Sequence, residues 1–159
     1  ALGAALEREH REIDGGIEAF IESLPAGKSE PEPLLRSMNG LRRHIYLEEE
    51  FLFPPLRAAG MMVPLFVMLR QHGELWQAMD ALGTLLDADS DADALTASCR
   101  ALLELLDQHN SKEEPIIYPQ ADQALPAADL AKLKAFLDSG QLPNGWICEK
   151  ARPTVGQDA

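Results

Sequence analysis

Apolar residues recur at helical spacing in four long stretches of the chain, with Pro, Gly, Ser and Asp gathered between them. The first stretch carries Leu2, Leu6, Ile13, Ile17, Phe20 and Leu24 and stops at Pro25-Ala26-Gly27. The second starts near Pro31, passes through Leu34, Met38, Leu41, Ile45 and Leu52, and ends about Leu56, before Gly60. The third starts near Pro64 and runs through Leu65, Leu69, Leu75, Met79, Leu82 and Leu86. Asp89-Ser90-Asp91 offers N-capping oxygens to the fourth, which continues through Leu95, Cys99, Leu102 and Leu106. A shorter fifth helix is expected from about Ala127 to Asp138, between Pro126 and Gly140. No stretch alternates with period two in β-branched residues. The pattern therefore predicts an all-α protein, an up-down-up-down four-helix bundle with a short C-terminal helix and an irregular tail. The expected division is residues 1–120 for the bundle and 121–159 for that helix and tail. Trp146 and Ile147 are placed to dock the tail, and the last few residues are expected to be mobile.

Polar residues interrupt these stripes at matched places. His10 stands between Leu6 and Ile13, and His72 between Leu69 and Leu75. The stripe Leu34, Met38, Leu41 runs on into His44 and Glu48, and Leu102, Leu106 runs on into His109 and Glu113. Each glutamate follows its histidine by four residues and shares its helix face. All the histidines of the chain thus point at the bundle axis with two carboxylates. A carboxylate left unpaired in an apolar core costs several kcal/mol, roughly, even after relaxation. Metal ions remove that cost, because neutral imidazoles and ionised carboxylates become ligands and their charge is compensated.

The chain also repeats itself. HIYLEEEFLFP (44–54) and HNSKEEPIIYP (109–119) share His, two glutamates, an aromatic residue and Pro in the same places, and REHREI (8–13) matches RQHGEL (70–75). Two helical hairpins related by a pseudo-twofold axis each supply one lone His and one His-x-x-x-Glu pair. Two equivalent sets suit two metal ions, with the carboxylates reaching across to bridge them. The order His, His-x-x-x-Glu, His, His-x-x-x-Glu on successive helices resembles the hemerythrin-like HHE cation-binding family over residues 1 to about 120. That resemblance implies a non-haem centre of two iron ions bridged by an oxo or hydroxo group. One iron would take His10 and His44, the other His72 and His109, with Glu48 and Glu113 spanning both. The ferritin-like arrangement uses Glu-x-x-His pairs instead, and the order here is reversed.

One departure bears on function. Oxygen-carrying hemerythrins have a further histidine four residues after the third-helix histidine, where this chain has Trp76. The resemblance then implies an open position on each iron, able to admit dioxygen, peroxide or nitric oxide. Asp14, the repeat partner of Trp76, is a candidate labile ligand or supporting group near the first iron, and Trp76 is expected to pack in the core. Glu49 and Glu114, one residue past the bridging carboxylates, are expected at the surface, paired with Arg or Lys. Pro54 and Pro119 are expected to end or kink helices, and Pro115 to make the fourth helix irregular beside the metal. Cys99 reads as inert core, and Cys148 as the more reactive thiol.

Charge narrows the partners. Against 14 basic residues stand 26 acidic ones, a formal net charge of −12, which repels nucleic acid and anionic lipid. No apolar run is long enough to span a membrane, and ALGAALEREHR is charged too early for a secretory signal. Two cysteines fit a reducing compartment, so a cytoplasmic setting is expected. The expected function is binding or sensing of dioxygen, nitric oxide or iron. The alternative is a di-iron enzyme acting on peroxide or nitric oxide, or an iron donor for iron–sulfur cluster repair.

Overall fold

The computed structural model of the chain describes residues 1–25 and 30–153, and no strand occurs among them. The expectations for Ala26 and Gly27, and for the residues after Pro153, lie outside the described residues. The first apolar stretch forms α1 (Leu2–Ser23), whose leading N–H groups find their acceptor far along the chain: Asp122 Oδ1 accepts from Leu2 N at 3.1 Å and Gly3 N at 3.4 Å. A carboxylate at that end also opposes the positive pole of the helix dipole.

The second stretch is a helical rod in three pieces: α2 (Glu32–Leu47), a π-helical turn (Glu48–Leu52) and α3 (Phe53–Ala58). Pro54 and Pro55 lack the N–H groups that an α-helix would donate back to Glu50 and Phe51. The turn absorbs the mismatch by widening, so that Phe53 N–H reaches back five residues to the carbonyl of Glu48. The third stretch forms α4 (Val63–Asp87), with Pro at its opening positions.

The fourth stretch forms α5 (Ala92–Ala124), capped by the Asp91 side chain, which accepts from Ala94 N at 2.8 Å. Such a cap contributes about 1 kcal/mol. This helix continues through both Pro115 and Pro119, so Pro119 does not end it and the irregularity expected at Pro115 lies in the other repeat, at Glu48–Leu52. Burial of Ile117, Tyr118 and Ala121 extends its apolar stripe past the prolines and holds the rod across the missing backbone bonds. The fifth helix is α6 (Ala127–Ser139), and a 3₁₀ turn (Glu149–Ala151) orders the tail.

Two apolar clusters form. One joins the end of α1 (Ile13, Ile17, Phe20), the start of α2 (Leu34, Met38, Leu41), the end of α4 (Leu75, Trp76, Met79, Leu82) and the start of α5 (Leu95, Cys99, Leu102, Leu106). The other joins the start of α1 (Leu2, Leu6), Leu47, Leu52, Phe53 and Leu56, the start of α4 (Leu65, Met68, Leu69) and the end of α5 (Ile117, Tyr118, Ala121). Every one of the buried histidines falls, along its own helix, between residues of the two clusters. Trp76 packs in the first cluster, edge-on to Trp146 with ring centroids 5.6 Å apart. Trp146 and Ile147 seat the tail there, and Cys148 is fully buried with them. The tail also crosses α4 at Gly73, where a Cβ would stand 2.8 Å from that of Lys150. Cys148 is therefore not an accessible thiol, because the segment on either side of it is docked. No helix among the described residues is long and apolar enough to cross a membrane.

Candidate metal centre

The structure brings together all six residues that the sequence singles out. His10, His44, Glu48, His72, His109 and Glu113 are buried, and their donor atoms form two groups. One is His10, His44, Glu48 and Glu113; the other is Glu48, His72, His109 and Glu113. The two carboxylates belong to both. Glu48 turns Oε2 towards His44 Nε2 at 3.3 Å and Oε1 towards His72 Nε2 at 3.0 Å. Glu113 Oε1 lies 3.2 Å from His10 Nε2 and 3.4 Å from His109 Nε2.

Each imidazole is held from behind. The Nδ1–H of His10 donates to Glu114 Oε2 at 2.8 Å, and that of His44 to Glu9 Oε1 at 2.8 Å. The Nδ1–H of His72 donates to Glu49 Oε2 at 2.7 Å, and that of His109 to Gln71 Oε1 at 2.8 Å. An oxygen behind each ring keeps a proton on Nδ1 and leaves Nε2 to face the centre, the arrangement that orients metal-binding histidines. Glu49 and Glu114 are thus not surface partners of Arg or Lys. Glu49 lies inside the π turn, whose wider winding brings successive residues nearer one face, and both glutamates reach the lone histidine of the opposite hairpin.

Those supports extend outward. Glu49 Oε1 also accepts the backbone N–H of Glu149 at 3.0 Å, so the tail fixes it. Arg43 donates to Glu9 Oε2 at 3.3 Å and to the carbonyls of Phe136, Leu137 and Gly140 at the end of α6. A guanidinium there satisfies the terminal carbonyls of the helix and complements its negative pole.

Lone pairs converge in this space. His10 Nε2 and His44 Nε2 stand 3.0 Å apart, and Glu113 Oε2 is buried with no hydrogen-bond partner. Without a cation, protons must sit between these groups. Burial disfavours a charged His72, yet hydrogen bonds and charge from Glu48 and Glu49 outweigh it and raise the ring to about 9. His44 is raised well above its ordinary value against the same burial, by Glu48 and then Glu9. Glu113 is held well below the carboxylate range although burial opposes this, chiefly by the charge of His109 and a hydrogen bond from His10. The donor set fits cations: it is neutral nitrogen and carboxylate oxygen, dry, oriented, and carrying protons that a metal displaces.

Asp14 is in neither donor group. Its Oδ1 is buried without a partner, and burial raises the carboxyl to about 6. Cys99 and Cys148 are raised by burial to about 11 and about 12, far from thiolate chemistry at neutral pH.

One residue at the centre was not anticipated. The hydroxyl of Tyr118 lies 2.8 Å from Glu48 Oε2, 2.9 Å from Glu113 Oε1, 2.9 Å from His10 Nε2 and 3.1 Å from His44 Nε2. In the internal repeat its counterpart is Phe53, whose ring stacks on His72 at 5.4 Å between centroids.

Compared with known protein families, the chain matches the hemerythrin HHE cation binding domain over residues 2–121. None of the curated proteins and none of the solved structures compared with it matches the chain.

Proposed function

The chain belongs to the hemerythrin HHE cation-binding family, and from that premise we propose that it holds two iron ions and uses them to bind or sense dioxygen, nitric oxide or iron itself. The observation that carries the reading is the sharing of Glu48 and Glu113 between two donor groups, each completed by its own pair of histidines. Glu48 offers one oxygen to each side, as a bridging carboxylate must. His10 and His44 would hold one ion, His72 and His109 the other, with an oxo or hydroxo group completing the bridge. The scaffold is an up-down-up-down bundle: alternate helices contribute opposite ends to each apolar cluster, which supports that order. Among the described residues, those up to 120 make the bundle, and those from 121 to 153 form a buttress rather than a separate folding unit.

Iron held in this way supplies a Lewis-acidic, redox-active centre with positions open to a small ligand. The protein's own part is to keep the site dry and the ligands preset. The four Nδ1 acceptors hold the rings in place, and the flanking apolar clusters exclude water from the small ligand and the metal. Peroxide falls in the same size and donor class as the other ligands.

Anaerobic loading with ferrous iron, metal analysis and exposure to dioxygen or nitric oxide under optical spectroscopy test the reading. Two irons per chain and a reversible spectral change are expected, and Glu113→Ala should sharply lower occupancy. One ion or fewer per chain, or full occupancy by two irons in Glu113→Ala, overturns the shared-carboxylate centre. Turnover of peroxide or nitric oxide would make the protein an enzyme instead of a carrier or sensor.

A further inference from the structure

We propose that Tyr118 is itself a metal ligand, a phenolate bound to the ion on the His10–His44 side, so that the two ions of the centre are unlike. This rests on the dinuclear reading above. Donor spacing carries it. Around one ion with bonds of about 2.1 Å, neighbouring donors at right angles stand about 3.0 Å apart. His10 Nε2 and His44 Nε2 are 3.0 Å apart, His10 Nε2 and Glu113 Oε1 3.2 Å, and His44 Nε2 and Glu48 Oε2 3.3 Å. The Tyr118 oxygen is 2.8–3.1 Å from all four of these atoms. It has the spacing of a fifth donor in the same set.

Hydrogen bonding alone does not account for that position once a cation is present. A hydroxyl has one proton to give, and its neighbours here are two carboxylate oxygens and two imidazole nitrogens that must be unprotonated to bind metal. With the imidazole lone pairs given to the cation, a neutral phenol could donate only to a carboxylate, and its oxygen would stand against two metal-bound nitrogens with nothing to exchange with them. As a ligand, the oxygen exchanges its O–H bond for a bond to the metal through its own electron pair. The proton leaves to solvent, and no oxidation state changes. Burial of the whole side chain fixes the oxygen there.

The other half of the centre has no equivalent. Phe53 takes the matching place in the repeat and lays its ring against His72, with 12° between planes. The His72–His109 ion therefore has one protein donor fewer, and the small ligand is expected there, against the Phe53 face.

The test uses the full chain loaded with iron and oxidised to the ferric state. A phenolate on ferric iron gives a charge-transfer band in the visible, with tyrosinate ring modes enhanced in the resonance Raman spectrum excited in that band. Wild type and Tyr46→Phe should show both, and Tyr118→Phe neither, while still binding iron. A second measurement does not depend on that variant folding. Metal-free wild type titrated with colourless gallium or zinc at neutral pH should give the ultraviolet difference spectrum of one ionised tyrosine per chain. Two irons bound with no tyrosinate modes would overturn the ligand and leave the dinuclear reading standing. Tyrosinate modes with a single bound ion would do the reverse.

Discussion

Removing the carboxylate behind His72 tests whether the groups that orient the rings contribute to metal binding. Glu49 takes the ring proton at 2.7 Å in a buried, charge-assisted hydrogen bond and is itself fixed by the Glu149 N–H at 3.0 Å. Loss of such a partner lowers metal affinity about 10- to 100-fold, equivalent to about 1.4–2.8 kcal/mol. With two ions bound as proposed, Glu49→Ala should therefore weaken one of them by that factor and leave the other near its wild-type affinity. Gln71→Ala, which removes a neutral amide oxygen from His109, should sit at the low end of the range. An opposing effect sets the pH of the assay. Glu49 also helps hold a proton on His72, raised to about 9, and that proton competes with metal at neutral pH. Deleting Glu49 eases this competition, so the loss should be larger above pH 9, where the ring is already neutral, than at pH 7. Anaerobic competition between the protein and a ferrous chelator at both pH values measures it, with helix content checked by circular dichroism. Unchanged affinity for both ions at both pH values, in a folded variant, would refute the idea that the carboxylate orients the ligand.

Two further outcomes follow from protonation and burial. In metal-free protein, His72 is raised from 6.5 to about 9; its contribution to stability is complete below about 6.5 and is lost as pH rises through about 9. Urea unfolding should therefore show falling stability across that window, while iron affinity rises across it as the ring loses its competing proton; stability that increases with pH there would contradict the assignment. Cys99 and Cys148 should resist a thiol reagent at neutral pH until the protein unfolds, since both are buried and raised to about 11 and about 12; prompt reaction of Cys148 in folded protein would show that the tail is not docked.

The positions of the histidines and of Glu48 and Glu113 were legible because each breaks an apolar stripe on its own helix, which a one-dimensional pattern records. The groups that hold the rings break no stripe. Glu9, Gln71, Glu49 and Glu114 lie beside the candidate ligands in sequence but turn towards a neighbouring helix, so only packing pairs Glu9 with His44 or Glu114 with His10. A weaker signal was present in the repeat. Glu9 and Gln71 occupy the same place before the lone histidine, each supporting the histidine of the next helix. Glu49 and Glu114 occupy the same place in the other half-repeat, each supporting the lone histidine of the other hairpin. The pseudo-twofold relation thus covers the supports as well as the candidate ligands. The symmetry fails where chemistry could differ, at Phe53 and Tyr118, and an aromatic-for-aromatic match hides a hydroxyl aimed at the centre. Nor does periodicity show that α6 and the tail matter to the site. Arg43 ties Glu9 to the last carbonyls of α6, and Glu149 ties the tail to Glu49. One histidine of each donor group is therefore steadied from beyond residue 121, where the family resemblance ends. The candidate ligands belong to the repeated hairpins, but their rigidity is a property of the whole described chain.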